Sequence, residues 1–281
     1  MLAPGAKIIE DDVIESGLVA LGLEGKAVEI HSSLSSFGHV AGGAKTVVRA
    51  LLNVCATVLM PTYSNMGAAN PPERDRPRQN GWDYEDYQVP SENITPFDPD
   101  NFGADSHIFD YLGIMPLTLL RTKGTIRSKH PSGSWSANGG GAANYVDPHP
   151  LDDPMRPIKK LYEANGCVLM LGVPLSTCSA LHLAEEMVGR RPFIRWILYN
   201  DGVVRRIRVF GCSQGFVNLE PDLGPLANRI RIGACHATVF PIRELVKTGA
   251  AIMRQTPEIT MCRNGKGCGR CRAAVKGGPI E

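Results

Sequence analysis

The segment Gly166-Cys-Val-Leu-Met-Leu-Gly172 constrains the fold most: an apolar run between two glycines, stopped by Pro174, is predicted to be a strand buried on both faces. The chain is therefore read as α/β, a central mixed sheet flanked by helices. Ser176 or Thr177 is placed to N-cap residues 178–186, whose Ala, Leu, Glu and Met content predicts a helix. On that helix His182 and Glu185 stand three residues apart and share a face. A carboxylate on one imidazole nitrogen fixes the tautomer and leaves the other nitrogen free to accept a proton. The alternative at this point is a core-facing histidine beside a solvated glutamate.

With 281 residues, 43% hydrophobic and 21% charged, the chain has enough material for one large core. No apolar run is long enough to span a membrane, and MLAPGAKIIEDD has no signal-peptide core, so a cytoplasmic protein without a membrane partner is expected. A net charge of +2 argues against dedicated nucleic-acid binding. Of the eight cysteines, Cys55, Cys167, Cys178, Cys212 and Cys235 are scattered singly through apolar segments, which does not suggest disulfides.

Helices are predicted over 11–21, 44–54, 154–165 and 242–254, and strands over 26–30, 57–60 and 229–239. Asn200-Asp-Gly202 between 193–199 and 203–210 is a hairpin signal, its arginines expected to face solvent. This makes the C-terminal part a hairpin-bearing subdomain. The loop from His31 to Gly43, followed by a helix start, has the composition of an anion site for a phosphate or pyrophosphate. Residues 63–103 are irregular and long, as lids and binding loops are. Between Gln79 and Leu120 there is no Lys or Arg but eight acids: Asp83, Glu85, Asp86, Glu92, Asp98, Asp100, Asp105 and Asp110. The sign then reverses at Arg121, Lys123, Arg127 and Lys129. Two solvated faces, or a cation-binding wall beside an anion-binding wall, are the two readings.

An ordered set of motifs resembles the aminoglycoside 3-N-acetyltransferase family: His31-Ser-Ser-Leu-Ser-Ser-Phe-Gly, Gly42-Gly43-Ala44, Met60-Pro-Thr62, Pro96-Phe-Asp-Pro99, Arg127-Ser-Lys-His-Pro-Ser132, Ser136-Ala-Asn-Gly139 and His182-Leu-Ala-Glu185. The resemblance implies an acetyl-CoA-dependent enzyme that passes acetyl directly to the 3-amino group of an aminoglycoside antibiotic, on a fold other than that of the widespread N-acetyltransferase superfamily. It implies that His31, Ser32, Ser33, Leu34, Ser35, Gly38 and Val40 bind acetyl-CoA, with Arg127 and Ser128 near its phosphates. His182, paired with Glu185, would take the amine proton. Ser179 stands where the family usually has threonine and keeps a hydroxyl for the thioester oxygen. Asp83, Glu85, Asp86 and Asp98 would face a polycationic substrate. Transfer to another amine in small-molecule biosynthesis, or CoA binding without chemistry, are the alternatives.

Gly211-Cys-Ser-Gln-Gly215, with Asp222 and His236 after it, matches the hydrolase pattern G-x-S-x-G, but no helix is expected after Gly215, so the match is read as chance. At the C-terminus, Cys262, Cys268 and Cys271 have the spacing and glycines of a zinc half-site, with Cys212, Cys235 or His236 as a fourth ligand. Residues 1–258 are expected to form the catalytic domain and 259–281 a Cys-rich tail whose structural zinc lies outside the catalytic region.

Overall fold

In the computed structural model, which describes residues 8–86, 88–89, 94–263 and 265–281, the run after Gly166 is a strand between two apolar layers. Val168 and Met170 point to one layer, Leu169 and Leu171 to the other. In chain order the elements are α1 (Asp11–Ala20), β1 (Ala27–Ser32), α2 (Ala44–Val54), β2 (Thr57–Pro61), β3 (Ala68–Ala69), α3 (Ile114–Leu120), β4 (Ile126–Arg127), β5 (Trp135–Gly139), α4 (Ala142–Val146), α5 (Arg156–Glu163) and β6 (Cys167–Leu171). They continue with α6 (Ala180–Met187), β7 (Phe193–Leu198), β8 (Val204–Val209), α7 (Glu220–Leu223), β9 (Asn228–Ile232), β10 (Cys235–Pro241), α8 (Ile242–Gln255) and α9 (Gly269–Val275).

The seven-stranded sheet has the order β4-β5-β2-β1-β6-β10-β9. Only β2, β1 and β6 run parallel; the outer strands join antiparallel, so the sheet is mixed. One face packs on α1, α2 and α3 through Ile14, Leu18, Val47, Leu51 and Leu119. The other packs on α5, α6 and α8 through Ile158, Leu161, Leu181 and Leu245. Alternation along β1 sends Val28 and Ile30 into the first layer, so Glu29 and His31 point to the α6 side. A three-stranded antiparallel sheet, β3-β7-β8, stands beside the large one, its hairpin turning at Asn200-Asp-Gly202.

Three local expectations change. The predicted strand 229–239 is two strands turning at Gly233. Ser176 and Thr177 lie in a 3-10 turn and do not cap α6; its N-cap position is Ser179, whose hydroxyl is used elsewhere. The segment after Gly215 is helical in part, a 3-10 turn over Gln214–Leu219 running into α7. His236 nevertheless bonds Arg231 across β9 and β10 and does not line the cleft with Ser213, so no hydrolase triad forms. Residues 259–281 pack on the body: Glu281 pairs with Arg206 and Arg208, and Gln79 donates to the carbonyls of Lys276 and Gly278. Among the described residues no helix is long and apolar enough to cross a membrane.

Candidate active site

Strands β1, β2 and β6 end at the same edge, and the loops leaving them form a cleft of about 700 Å³. A crevice beyond the carboxyl ends of parallel strands is where open α/β sheets bind ligands. Gly172 makes the turn out of β6: its φ is +67°, and a Cβ there would lie 2.2 Å from Ser36 Cβ. The chain then reaches Ser179, and α6 carries His182 and Glu185 inward. The opposite wall is the small sheet, with Trp196, Ile207 and Phe210.

His182 Nδ1 lies 2.7 Å from Glu185 Oε2, and both residues are buried, at 8% and 7% exposure. Glu185 Oε1 accepts from Arg190 at 2.8 Å, and Arg190 also donates to Thr260 Oγ1 and the Pro257 carbonyl. The carboxylate therefore cannot turn away from the imidazole. The His182 ring stacks on Phe210, centroids 5.2 Å apart at 7°, with Phe216 edge-on at 4.9 Å. Nδ1–H donates to the carboxylate, and Nε2, without a hydrogen-bond partner among the described residues, is the basic nitrogen. The second reading of this histidine, a core residue beside a solvated glutamate, does not hold: Glu185 is buried and His182 lines the cleft.

Ser179 Oγ is 2.8 Å from the Tyr63 hydroxyl, and both line the cleft. Burial pushes the Tyr63 phenol well above its ordinary pKa, so it stays a hydrogen-bond donor. Tyr63 is absent from the residues singled out in the sequence; its signal is its place two residues beyond the end of a buried parallel strand. Glu29 is equally unannounced. It is fully buried, Oε1 2.7 Å from His31 Nε2, with Oε2 unpartnered among the described residues, and the Ser179 amide nitrogen is 3.3 Å from the same His31 nitrogen.

Of the residues expected to hold acetyl-CoA, His31 and Ser32 line the cleft. Ser33, Leu34, Ser35 and Gly38 form a turn at the surface beyond it, Ser33 and Ser35 sharing a hydrogen bond of 2.9 Å. The Val40 side chain is buried in the core layer with Ile9, which leaves its backbone for any contact with the cofactor. Arg127 is corrected. It is 8% exposed and donates to the carbonyls of Thr62, Gly103, Ser106 and His107 and to Ser134 Oγ, which leaves no donor for a phosphate. Burial brings its pKa down to about 10, so it remains a cation at neutral pH. Ser128 accepts from the Trp135 amide and meets His149 Nδ1 inside the fold, away from the cleft. His130 and His149 are held neutral by burial, at about 3 and about 4, and serve the fold.

No Asp or Glu lines the cleft among the described residues; its guanidinium groups are Arg195 and Arg270. Arg195 thus departs from the expected solvent-facing position, stacking on Trp82 at 4.7 Å. Asp83 and Glu85 line an adjoining groove that shares Trp82, Arg195 and Arg270 with the cleft. Asp86 lies outside both, and so does Asp98, which accepts from Asn101; Glu92 lies outside the described residues. The cysteines converge: the sulfurs of Cys212, Cys262, Cys268 and Cys271 all lie within 4.8 Å of one another, whereas Cys235 sits elsewhere beside Ser36.

A buried His–Glu pair on a residue that lines a cleft can take a proton from a nucleophile bound there. Residues 30–254 match the family model for aminoglycoside 3-N-acetyltransferase. Aminoglycoside N(3)-acetyltransferase IX of Micromonospora chalcea is 36% identical over 200 residues, 68% of this chain and 66% of that protein. Aminoglycoside N(3)-acetyltransferase VII of Streptomyces paromomycinus is 30% identical over 267 residues, 85% of this chain and 89% of that protein. Among solved structures, the aminoglycoside acetyltransferase AAC(3)-IVa apoenzyme superposes with a TM-score of 0.76 at 25% identity, covering 98% of this chain and all of that one. AAC-IIIb in its binary complex with CoASH gives 0.71 at 26%, covering 89% and 97%. The chain belongs to the aminoglycoside 3-N-acetyltransferase family.

Proposed function

We propose that this protein transfers acetyl from acetyl-CoA directly to the 3-amino group of an aminoglycoside, with His182 as general base, in the cytoplasm. The observation that carries the reading is the His182–Glu185 pair, with one nitrogen committed to the carboxylate on an imidazole that lines the cleft. The neutral amine attacks the thioester carbonyl, the new C–N bond forms, and His182 Nε2 takes the amine proton. Ser179 and Tyr63, whose hydroxyls meet on the cleft lining, are assigned as donors to the oxyanion that develops. Collapse breaks the C–S bond, and the proton on His182 passes to the departing thiolate. Family membership and the CoASH complex of a relative support the donor; the names of the relatives support the acceptor.

Substrate ammonium groups are assigned to the groove of Asp83 and Glu85, which opens into the cleft at Trp82. Glu85→Gln should raise the aminoglycoside KM about 2–5-fold, the scale of one exposed ion pair, and leave the acetyl-CoA KM unchanged. Added salt should erase the difference, which steady-state kinetics at two ionic strengths would show. A second reading, acyl transfer to a different amine, is favoured by one observation: the cleft itself holds arginines and no carboxylate among the described residues. Release of CoA thiol measured against a panel of aminoglycosides and simple polyamines separates the two. Thiol release that depends on an aminoglycoside supports the first, and release with other amines alone rejects it.

We also infer that Cys212, Cys262, Cys268 and Cys271 hold a structural zinc ion. A tetrahedron with Zn–S bonds of about 2.3 Å places its sulfurs about 3.8 Å apart; Cys268 and Cys271 already stand at 3.7 Å. Cys268 is the N-cap of α9 and Cys271 lies in its first turn. Gly267, at φ +65°, lets its amide reach the Cys262 carbonyl at 2.9 Å. Four thiolates on Zn²⁺ carry a net charge of about −2, and Arg263, Lys266, Arg270 and Arg272 surround them in sequence with no acid between.

A further inference from the structure

Resting on that zinc assignment, we propose that the four-cysteine centre is the platform that positions the catalytic base, so that metal occupancy sets turnover and not only stability. Two arms leave the centre and reach His182 by different contacts, one by ring stacking and one by hydrogen bonds. The first is short: Cys212, Gly211, Phe210. Phe210 is the ring stacked on the imidazole, and Gly211 lies against Glu185, an added Cβ there falling 3.8 Å from Glu185 Oε2. The second leaves Cys262 through Met261 to Thr260, which is buried. Thr260 Oγ1 accepts from Arg190 at 2.6 Å, Arg190 holds Glu185 at 2.8 Å, and Glu185 holds His182 at 2.7 Å.

Between the arms the two segments are pressed together. A Cβ on Gly215 would fall 2.0 Å from the Thr260 carbonyl oxygen, and Asn218 donates to the carbonyls of Ile259 and Met261. Cys271 Sγ itself approaches the Thr260 carbonyl at 3.9 Å. The segments are far apart in sequence, at 210–219 and 257–262, and a metal bound by one cysteine of the first and three near the second adds a coordinate link to these contacts. Cys212 also lines the catalytic cleft.

The test uses the full chain. Zinc is quantified in protein purified without chelator, removed by mild chelation, and restored as zinc or cobalt. The expected result is about one metal per chain at the outset and a kcat lower by about 10–100-fold after removal, the scale of a base displaced by about 1 Å. Acetyl-CoA affinity should barely move, and kcat should return on reloading, with cobalt giving the charge-transfer band of a tetrathiolate site. The His182 imidazole resonance, followed by nitrogen NMR, should shift on metal removal and recover, a readout that does not depend on which amine is acetylated. If stripping unfolds the chain, Thr260→Val decides: it keeps all four thiolates and the metal but removes the acceptor for Arg190, and kcat should fall severalfold at unchanged metal content. Protein that carries no metal overturns the zinc assignment and this inference with it. Bound metal whose removal, or whose uncoupling by Thr260→Val, leaves kcat and the His182 resonance unchanged overturns the positioning role alone.

Discussion

Replacing His182 by alanine should lower kcat for acetyl transfer by about 10²–10⁴-fold, the usual contribution of a general base, with acetyl-CoA binding nearly unchanged. The imidazole lines the cleft, one nitrogen fixed by a carboxylate and the other lacking a partner among the described residues. A water filling the vacated space beside Phe210 is a poor substitute base, since nothing orients it. Glu185→Gln should be milder in chemistry, because an amide oxygen can still accept from Nδ1–H. It removes the charge that holds Arg190, so part of its effect should appear as lost stability. Full turnover of His182→Ala near neutral pH would mean that another group takes the proton.

The second large effect falls on stability. Arg127→Ala should destabilise the fold by about 3 kcal/mol, since carbonyls inside the fold left without a donor cost about 1–3 kcal/mol each. Arg127 serves four carbonyls, of which those of Ser106 and His107 have no other donor among the described residues, and its guanidinium lies over the Phe102 ring at 4.0 Å. For a chain of this size that corresponds to a fall in Tm of roughly 6–12 °C, measurable by calorimetry. Arg127→Lys should lie between, because one ammonium keeps the charge but cannot reach diverging carbonyls. The acetyl-CoA KM of any folded fraction should be unchanged. A raised KM at unchanged Tm would return Arg127 to the phosphate site.

These two residues mark what was legible in the sequence. The strand, the helix after it and the spacing of His182 and Glu185 follow from short-range rules: an apolar run between glycines, helix-forming composition and a three-residue step. The hairpin at Asn200-Asp-Gly202 follows from turn chemistry in the same way. Arg127 stands in a basic run, and local charge suggested an anion wall. What decides its role is the demand of carbonyls in a loop about twenty residues earlier, which no local pattern reports. Cys212 is fifty residues from Cys262, so its place in the cluster needed the packing of both segments. Glu29 could have been found: Val28 and Ile30 fix one face of β1 as apolar, which puts Glu29 and His31 together on the other.

The most direct test of acetyl transfer to the 3-amino group is the position of the acetyl group in the product. Purified protein, acetyl-CoA and an aminoglycoside are incubated, and the product is assigned by NMR. A single acetyl on the 3-amino nitrogen, formed with one equivalent of free CoA and nearly absent with His182→Ala, is the expected result. Acetyl-CoA consumed without acetylated antibiotic, or acetyl found on a different amine, would contradict it.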